Sequence, residues 1–289
     1  MKKLLFLVFV ILFACNSKSE KNDYFEDISE NDIKLFPPKP GDWLYSRKEK
    51  GQTFEQFVKS KHTIPTKENN IIYLQPLGQF DSLQMKQIEL VREYLQIFFQ
   101  LKTNTLEDIS NDVIPKQARR IGPDQNEQFL AGFILDSVLK KERPQNGIGL
   151  MALTEVDLYP KPEWSFVFGL ASYRDRIAVS SIYRLYDKRL QNKDFTLCLE
   201  RLLKICSHEI GHMFGLYHCI DADCVMNGTN SLSETDEHTL RLCSNCQRKL
   251  NSGIKYDNKK RLTELEKYFE RNNLTTGKQL MEKDLKSIQ

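Results

Sequence analysis

Residues 208–219 read His208-Glu209-Ile210-Gly211-His212-Met213-Phe214-Gly215-Leu216-Tyr217-His218-Cys219. Histidines four apart lie one turn above each other on the same helix face, about 6 Å apart, so both imidazoles can reach one ion. His218 can join them only if the helix stops between, and Gly215 is the residue that can stop it, because it adopts positive φ without a Cβ clash. Three neutral imidazoles leave the fourth tetrahedral position of a zinc ion open, which is the arrangement of a catalytic site. Zinc lowers the pKa of water there toward about 7, and Glu209 can take a proton from that water as it attacks a polarised carbonyl. Ordinary residue frequencies make this pattern an accident on the order of once in 10⁵ such chains. His62 and His238 have no comparable neighbours and read as solvated loop residues.

Upstream, Leu197, Leu199, Leu202, Leu203, Ile205, Ile210 and Met213 recur at helical spacing from a cap at Asp194 or Thr196. The histidines therefore sit on a helix whose other face is buried. Cys198 and Cys206 fall on one face of it and read as packed thiols. Downstream, Cys219, Cys224, Cys243 and Cys246 follow C-x4-C and, eighteen residues on, C-x2-C. Two close thiol pairs suit a closed four-thiolate zinc site. In an exported chain two disulfides, or a redox pair at 243 and 246, compete with that reading.

Farther out, Ile71 to Leu77 reads as a strand, followed by a helix capped by Asp81 or Ser82 with Ile88, Val91, Leu95, Phe98 and Phe99 on its core side. A second strand near 101–106 would complete a βαβ unit. Gln128 to Lys141 has helical spacing, and Ile148 to Leu158, Phe166 to Ala171 and Arg176 to Leu185 read as strands. The fold class expected is α/β with a mixed twisted sheet.

At the start, Met1-Lys2-Lys3 precedes ten apolar residues, Leu4 to Phe13, then Ala14-Cys15. Ten apolar residues span about 15 Å as a helix, half the bilayer core, which marks a signal segment and not a membrane span. Leu12-Phe13-Ala14-Cys15 resembles the bacterial lipobox, with Cys15 the lipid-bearing first mature residue of an exported, membrane-anchored lipoprotein of the cell envelope. The domain layout expected is 1–14 signal peptide, 15–40 lipidated Cys15 and flexible tether, 41–250 catalytic domain, and 251–289 helical extension. Ordered structure is expected from Asp42-Trp43-Leu44.

The 289 residues carry 42 basic and 39 acidic side chains, a balance of +3 that falls to +1 without Lys2 and Lys3. No nucleic-acid partner is implied by that charge.

Together, His208 to Cys219, Cys224-Val225-Met226, Cys243 and Cys246 resemble the archaemetzincins, a branch of the metzincin clan of zinc peptidases. Sixteen residues lie between Met226 and Cys243, one fewer than the spacing associated with that family. Weaker similarity runs through Gly41-Asp42-Trp43-Leu44, Gln52-Thr53-Phe54-Glu55, Tyr73 to Gly78, Asp157 to Pro160 and Phe166 to Gly169. The resemblance implies an upper α/β subdomain whose edge strand binds substrate, and a small Cys-rich lower subdomain carrying His218, with Met226 in a tight turn under the metal. It implies a zinc metallopeptidase acting on peptide or protein substrates, with aminopeptidase action on short peptides the leading suggestion. Two zinc ions follow from it, one catalytic at His208, His212 and His218 and one structural at Cys219, Cys224, Cys243 and Cys246. The competing reading is a catalytically silent zinc-bound domain that binds peptides or proteins. Retention of Glu209 argues against it.

Overall fold

Strand β1 (Ile71–Leu77) is buried on both faces, as expected for the middle of a parallel sheet covered by helices. A computed structural model describes residues 23–186 and 190–289, and the expected signal segment and Cys15 lie outside them. The main sheet has the order β2-β1-β5-β8-β7, with β2 (Thr103–Thr105), β5 (Gly147–Thr154), β7 (Gly169–Ser172) and β8 (Ile177–Ser181). β1 pairs in parallel with β2 and β5, β5 in parallel with β8, and edge strand β7 runs antiparallel to β8. The α/β class with a mixed sheet is therefore what the chain adopts. A second sheet joins β3 (Arg119–Ile121), β4 (Glu127–Leu130) and β6 (Asp157–Tyr159).

Alternating side chains along the main sheet feed two apolar cores. Ile72, Leu74, Ile148, Met151 and Leu153 point to one, beside α4 (Ser82–Phe99) and α7 (Phe195–Met213). Tyr73, Leu77, Leu150, Ala152 and Val179 point to the other, which is closed by α5 (Ala131–Phe133), a π-helical stretch Ile134–Leu139 and α6 (Lys140–Glu142). Asp81 caps α4 in a capping box with Gln84. Ile88, Val91, Leu95, Phe98 and Phe99 are all buried, as their spacing requires.

Several boundaries differ from expectation. Gln128 to Leu130 is strand and not helix, because Gln128 and Phe129 are held between Arg120 and Arg119 on one side and Asp157 and Leu158 on the other. Ile148 to Leu158 divides between two sheets, and only Gly169 onward of the Phe166 run pairs as strand. Asp194 stands at the N-cap of α7 without a side-chain cap bond.

The tether expected at 15–40 is corrected from residue 23 onward. Helix α1 (Tyr24–Asp27) leads into Ile28, which is fully buried, and Tyr24 Oη donates to Gln247 Oε1 at 3.0 Å. Asp32 receives Arg241 Nη1, while Arg241 Nε donates to buried Asp284 at 2.7 Å. That ion network ties the segment to α11 (Thr275–Ser287), which with α9 (Ser244–Ile254) and α10 (Asn258–Arg271) closes the lower half of the molecule. Two short helices, α2 (Trp43–Ser46) and α3 (Phe54–Lys59), and α8 (Leu232–Glu237) flank the cleft described next.

Candidate metal centre and cleft

Helix α7 ends where glycine allows it. Gly215 has φ +96°, its N–H donates to His212 O at 2.9 Å, and Leu216 N–H donates to Gly211 O at 3.1 Å. This is a Schellman motif, and it turns the chain so that His218 faces back toward the helix. A Cβ on Gly215 would also stand 2.9 Å from the His62 Cβ.

The turn does a second task. Leu216 O, delivered by it, accepts from His212 Nδ1 at 2.7 Å, and Val225 O accepts from His208 Nδ1 at 2.9 Å. Both Nδ1 atoms thus carry the ring proton, which leaves both Nε2 atoms as bare lone pairs. Those two Nε2 atoms stand only 2.9 Å apart. Burial pushes the His208 imidazole down to about 3, helped by the neighbouring His218, and pushes His212 well below its ordinary value. Neither ring supplies a proton to relieve the repulsion near neutrality. A cation between them does, and the nearest nitrogen of His218 belongs to the same cluster, within 4.8 Å. The donor set, three imidazoles with bare nitrogens converging, fits zinc.

Glu209 is 9% exposed and makes no hydrogen bond with another described residue. Burial raises its carboxyl to about 8. It lies under edge strand β7: a Cβ on Gly169 would come 2.7 Å from Glu209 Oε1. The cleft between β7 and α7 encloses about 370 Å³ and is lined by Trp43, Trp164, Phe168, Leu170, Tyr173 and Lys204 among others. Tyr173 Oη stands 3.0 Å from His212 Nδ1, and burial lifts its phenol so that it stays protonated. Lys204 is buried in the wall, donating to Thr235 O at 3.2 Å and pairing with Glu200 at 3.1 Å.

Below α7, Met226 is fully buried in a turn, and a Cβ on Gly211 would meet its Sδ at 2.5 Å. Asn227 pins that turn, accepting from Cys224 N at 2.7 Å and donating to Cys219 O at 2.8 Å. All four of Cys219, Cys224, Cys243 and Cys246 are buried free thiols with their sulfurs within 4.8 Å of one another. Cys219 Sγ and Cys243 Sγ are 3.7 Å apart. A disulfide needs about 2.05 Å, whereas the edge of a tetrahedron with Zn–S near 2.3 Å is about 3.8 Å. These thiols therefore fit a closed zinc site. Cys198 and Cys206 are packed in the core, Cys198 against Gln87.

His62 and His238 do lie in loops, but both are half-buried and partnered, not solvated. His62 stacks on Phe57 at 4.3 Å, and His238 pairs with Asp223 at 2.9 Å on the cleft wall. Three site residues were not legible as such in the sequence. Glu49 contacts His218 Nδ1 at 2.8 and 3.0 Å, Tyr173 contacts His212, and Gly169 roofs Glu209. Only the motif segments around Trp43 and Gly169 pointed to their neighbourhoods.

Similarity to known proteins extends over much of the chain. Residues 133–252 match Peptidase family M54. Archaemetzincin-2 of Rattus norvegicus is 31% identical over 281 residues, covering 86% of this chain and 76% of its own. The archaemetzincin of Thermococcus kodakarensis is 42% identical over 126 residues, 43% of this chain and 66% of its own. The crystal structure of the archaemetzincin of Methanopyrus kandleri superposes with TM-score 0.52 at 28% identity, over 66% of this chain and 99% of that one.

Proposed function

The chain belongs to the archaemetzincin family of zinc metallopeptidases, peptidase family M54, and from that premise we propose that His208, His212 and His218 hold the catalytic zinc while Glu209 serves as the base. The observation that carries this is the pair of bare Nε2 atoms 2.9 Å apart beside an unbonded, buried carboxyl in one cleft. Zinc held there would polarise the scissile carbonyl and ease loss of a proton from water. Glu209 takes that proton on a carboxylate oxygen and returns it to the leaving amine. The outer side of edge strand β7, which pairs with β8 only on its inner side, borders the cleft and supports binding of the substrate backbone by strand addition.

Short peptides are the proposed substrates. A cavity near 370 Å³ is at the small end for a ligand site. Arg47 also lies 5.0 Å from both the Trp43 and Trp164 ring centroids, so the segments carrying those two tryptophans meet at the rim of the cleft. Aminopeptidase action is the finer proposal. Digestion of a peptide library with mass-spectrometric readout tests it: cuts after the first residue support it, and internal cuts in long peptides replace it with an endopeptidase.

A second zinc is proposed at Cys219, Cys224, Cys243 and Cys246, supported by the sulfur spacing. We also propose export and anchoring through a lipid on Cys15, supported by the basic start, the ten-residue apolar run and Leu12-Phe13-Ala14-Cys15. Cys15→Ser should move the protein from the membrane to the soluble fraction with activity per molecule unchanged; a wild type that is already soluble after export overturns the anchor.

A further inference from the structure

We propose that Glu49 is a positioning residue that seats His218 and tunes its hold on the metal, an inference that rests on the reading of His218 as a ligand. His208 and His212 share a helix and are fixed by it, whereas His218 lies beyond the Schellman turn and needs a brace from elsewhere. The brace is the strap before α3. Glu49 Oε1 and Oε2 lie 2.8 and 3.0 Å from His218 Nδ1, and Oε1 also accepts from Trp43 Nε1 at 3.0 Å. Trp43 in turn stands edge-on to the His218 ring, centroids 5.1 Å apart. Its own backbone N–H donates to Glu234 Oε1 at 2.7 Å.

Gln52 holds the other end of the turn, donating to Gly215 O at 3.0 Å and accepting from Tyr217 N at 3.4 Å. Lys249 Nζ donates to Gln52 O and locks the strap to α9. The turn that carries the third histidine is thus clasped at both ends by residues 43–52, which lie outside the matched family segment 133–252.

The chemistry at the three rings is unequal. His208 and His212 donate to backbone carbonyls, and only His218 faces a carboxylate. A carboxylate on Nδ1 fixes the Nδ1–H tautomer, presents Nε2 to the ion and makes that nitrogen a stronger donor. Removing such a partner ordinarily weakens metal affinity about 10- to 100-fold.

The experiment measures zinc affinity of the full chain by competition with a chelator of known strength, together with the visible spectrum of the cobalt-substituted protein. Glu49→Ala should weaken the weaker-binding zinc about 10- to 100-fold and shift the cobalt bands, with the thiolate-bound metal retained. Glu49→Gln keeps an acceptor oxygen and loses the charge, so it should fall between Ala and wild type. If Glu49→Ala does not fold, Glu49→Gln decides: reduced affinity at wild-type melting temperature supports the proposal. Wild-type affinity and spectrum in the folded variants overturn it. His218→Ala separates the two levels. Unchanged affinity there removes the ligand reading itself, whereas lost affinity there with none lost at Glu49 overturns only the positioning role.

Discussion

Gly169→Ala would test how closely the edge strand sits over Glu209. An added Cβ would lie 2.7 Å from Glu209 Oε1, 3.1 Å from its Cγ and 2.6 Å from Ser180 Oγ. Ordinary contact is about 3.5 Å, so the carboxylate must retreat by about 0.8 Å. Ser180 Oγ, which has no hydrogen-bond partner among the described residues, can rotate away and does not relieve Glu209. Gly169 is not among the glycines at positive φ, so the backbone itself tolerates alanine. Overpacking costs about 1–3 kcal/mol, offset by about 0.5–1 kcal/mol from replacing glycine in a strand. A catalytic group displaced by about 1 Å loses about 10²-fold, or about 2.7 kcal/mol of barrier. The expected result is kcat/KM on a short peptide reduced about 30- to 100-fold, with zinc content unchanged and the melting temperature lowered by several degrees at most. Wild-type kcat/KM at equal zinc content would refute the reasoning.

Cys243→Ala removes a sulfur that also caps α9 by accepting from Cys246 N at 3.5 Å. Zinc content should fall from two per chain to one and unfolding free energy by at least about 3 kcal/mol, since structural zinc contributes folding energy directly. Metal analysis and denaturant titration check this, and one zinc in wild type with thiols oxidised in pairs contradicts it. For the protein with its histidine site emptied, His208 and His212 have folded pKa values below the unfolded 6.5. Their stability is present above pH 6.5 and is lost as pH falls, by about 1.4 kcal/mol per unit for each ring. Glu209 acts oppositely between about 4.5 and 8, because its folded value is raised. Wild type should therefore lose more unfolding free energy than His212→Ala between pH 6.5 and 5, because the variant has one buried imidazole fewer and its His208 no longer faces a second ring 2.9 Å away; an equal loss in both contradicts the buried neutral imidazole.

Local patterns were legible and long-range ones were not. The α4 stripe, its Asp81 cap and the Gly215 turn each depend on residues within a few positions, and all three stand as the spacing implied. Gln128 to Leu130 carried helical periodicity, yet pairing with Arg119 and Asp157 strands drew it into a sheet that no local window displays. The segment before residue 40 read as tether because it is polar. Its anchors are the buried Ile28, the hydrogen bond from Tyr24 to Gln247 and the ion pair of Asp32 with Arg241, both partners more than 200 positions away. At the site, His208, His212 and His218 announce themselves by spacing, while Glu49 reaches His218 across 169 positions and Gly169 reaches Glu209 across forty. An ordinary glutamate in a charged run and a glycine after phenylalanine carry no mark of those contacts.

The central claim, hydrolysis with Glu209 as the base beside a histidine-held zinc, is tested most directly by turnover of Glu209→Gln measured alongside its metal content. The side chain keeps its shape and loses only the ability to take a proton. The account predicts zinc occupancy equal to wild type and peptide hydrolysis lower by at least about a hundredfold. Full occupancy with undiminished turnover would contradict it.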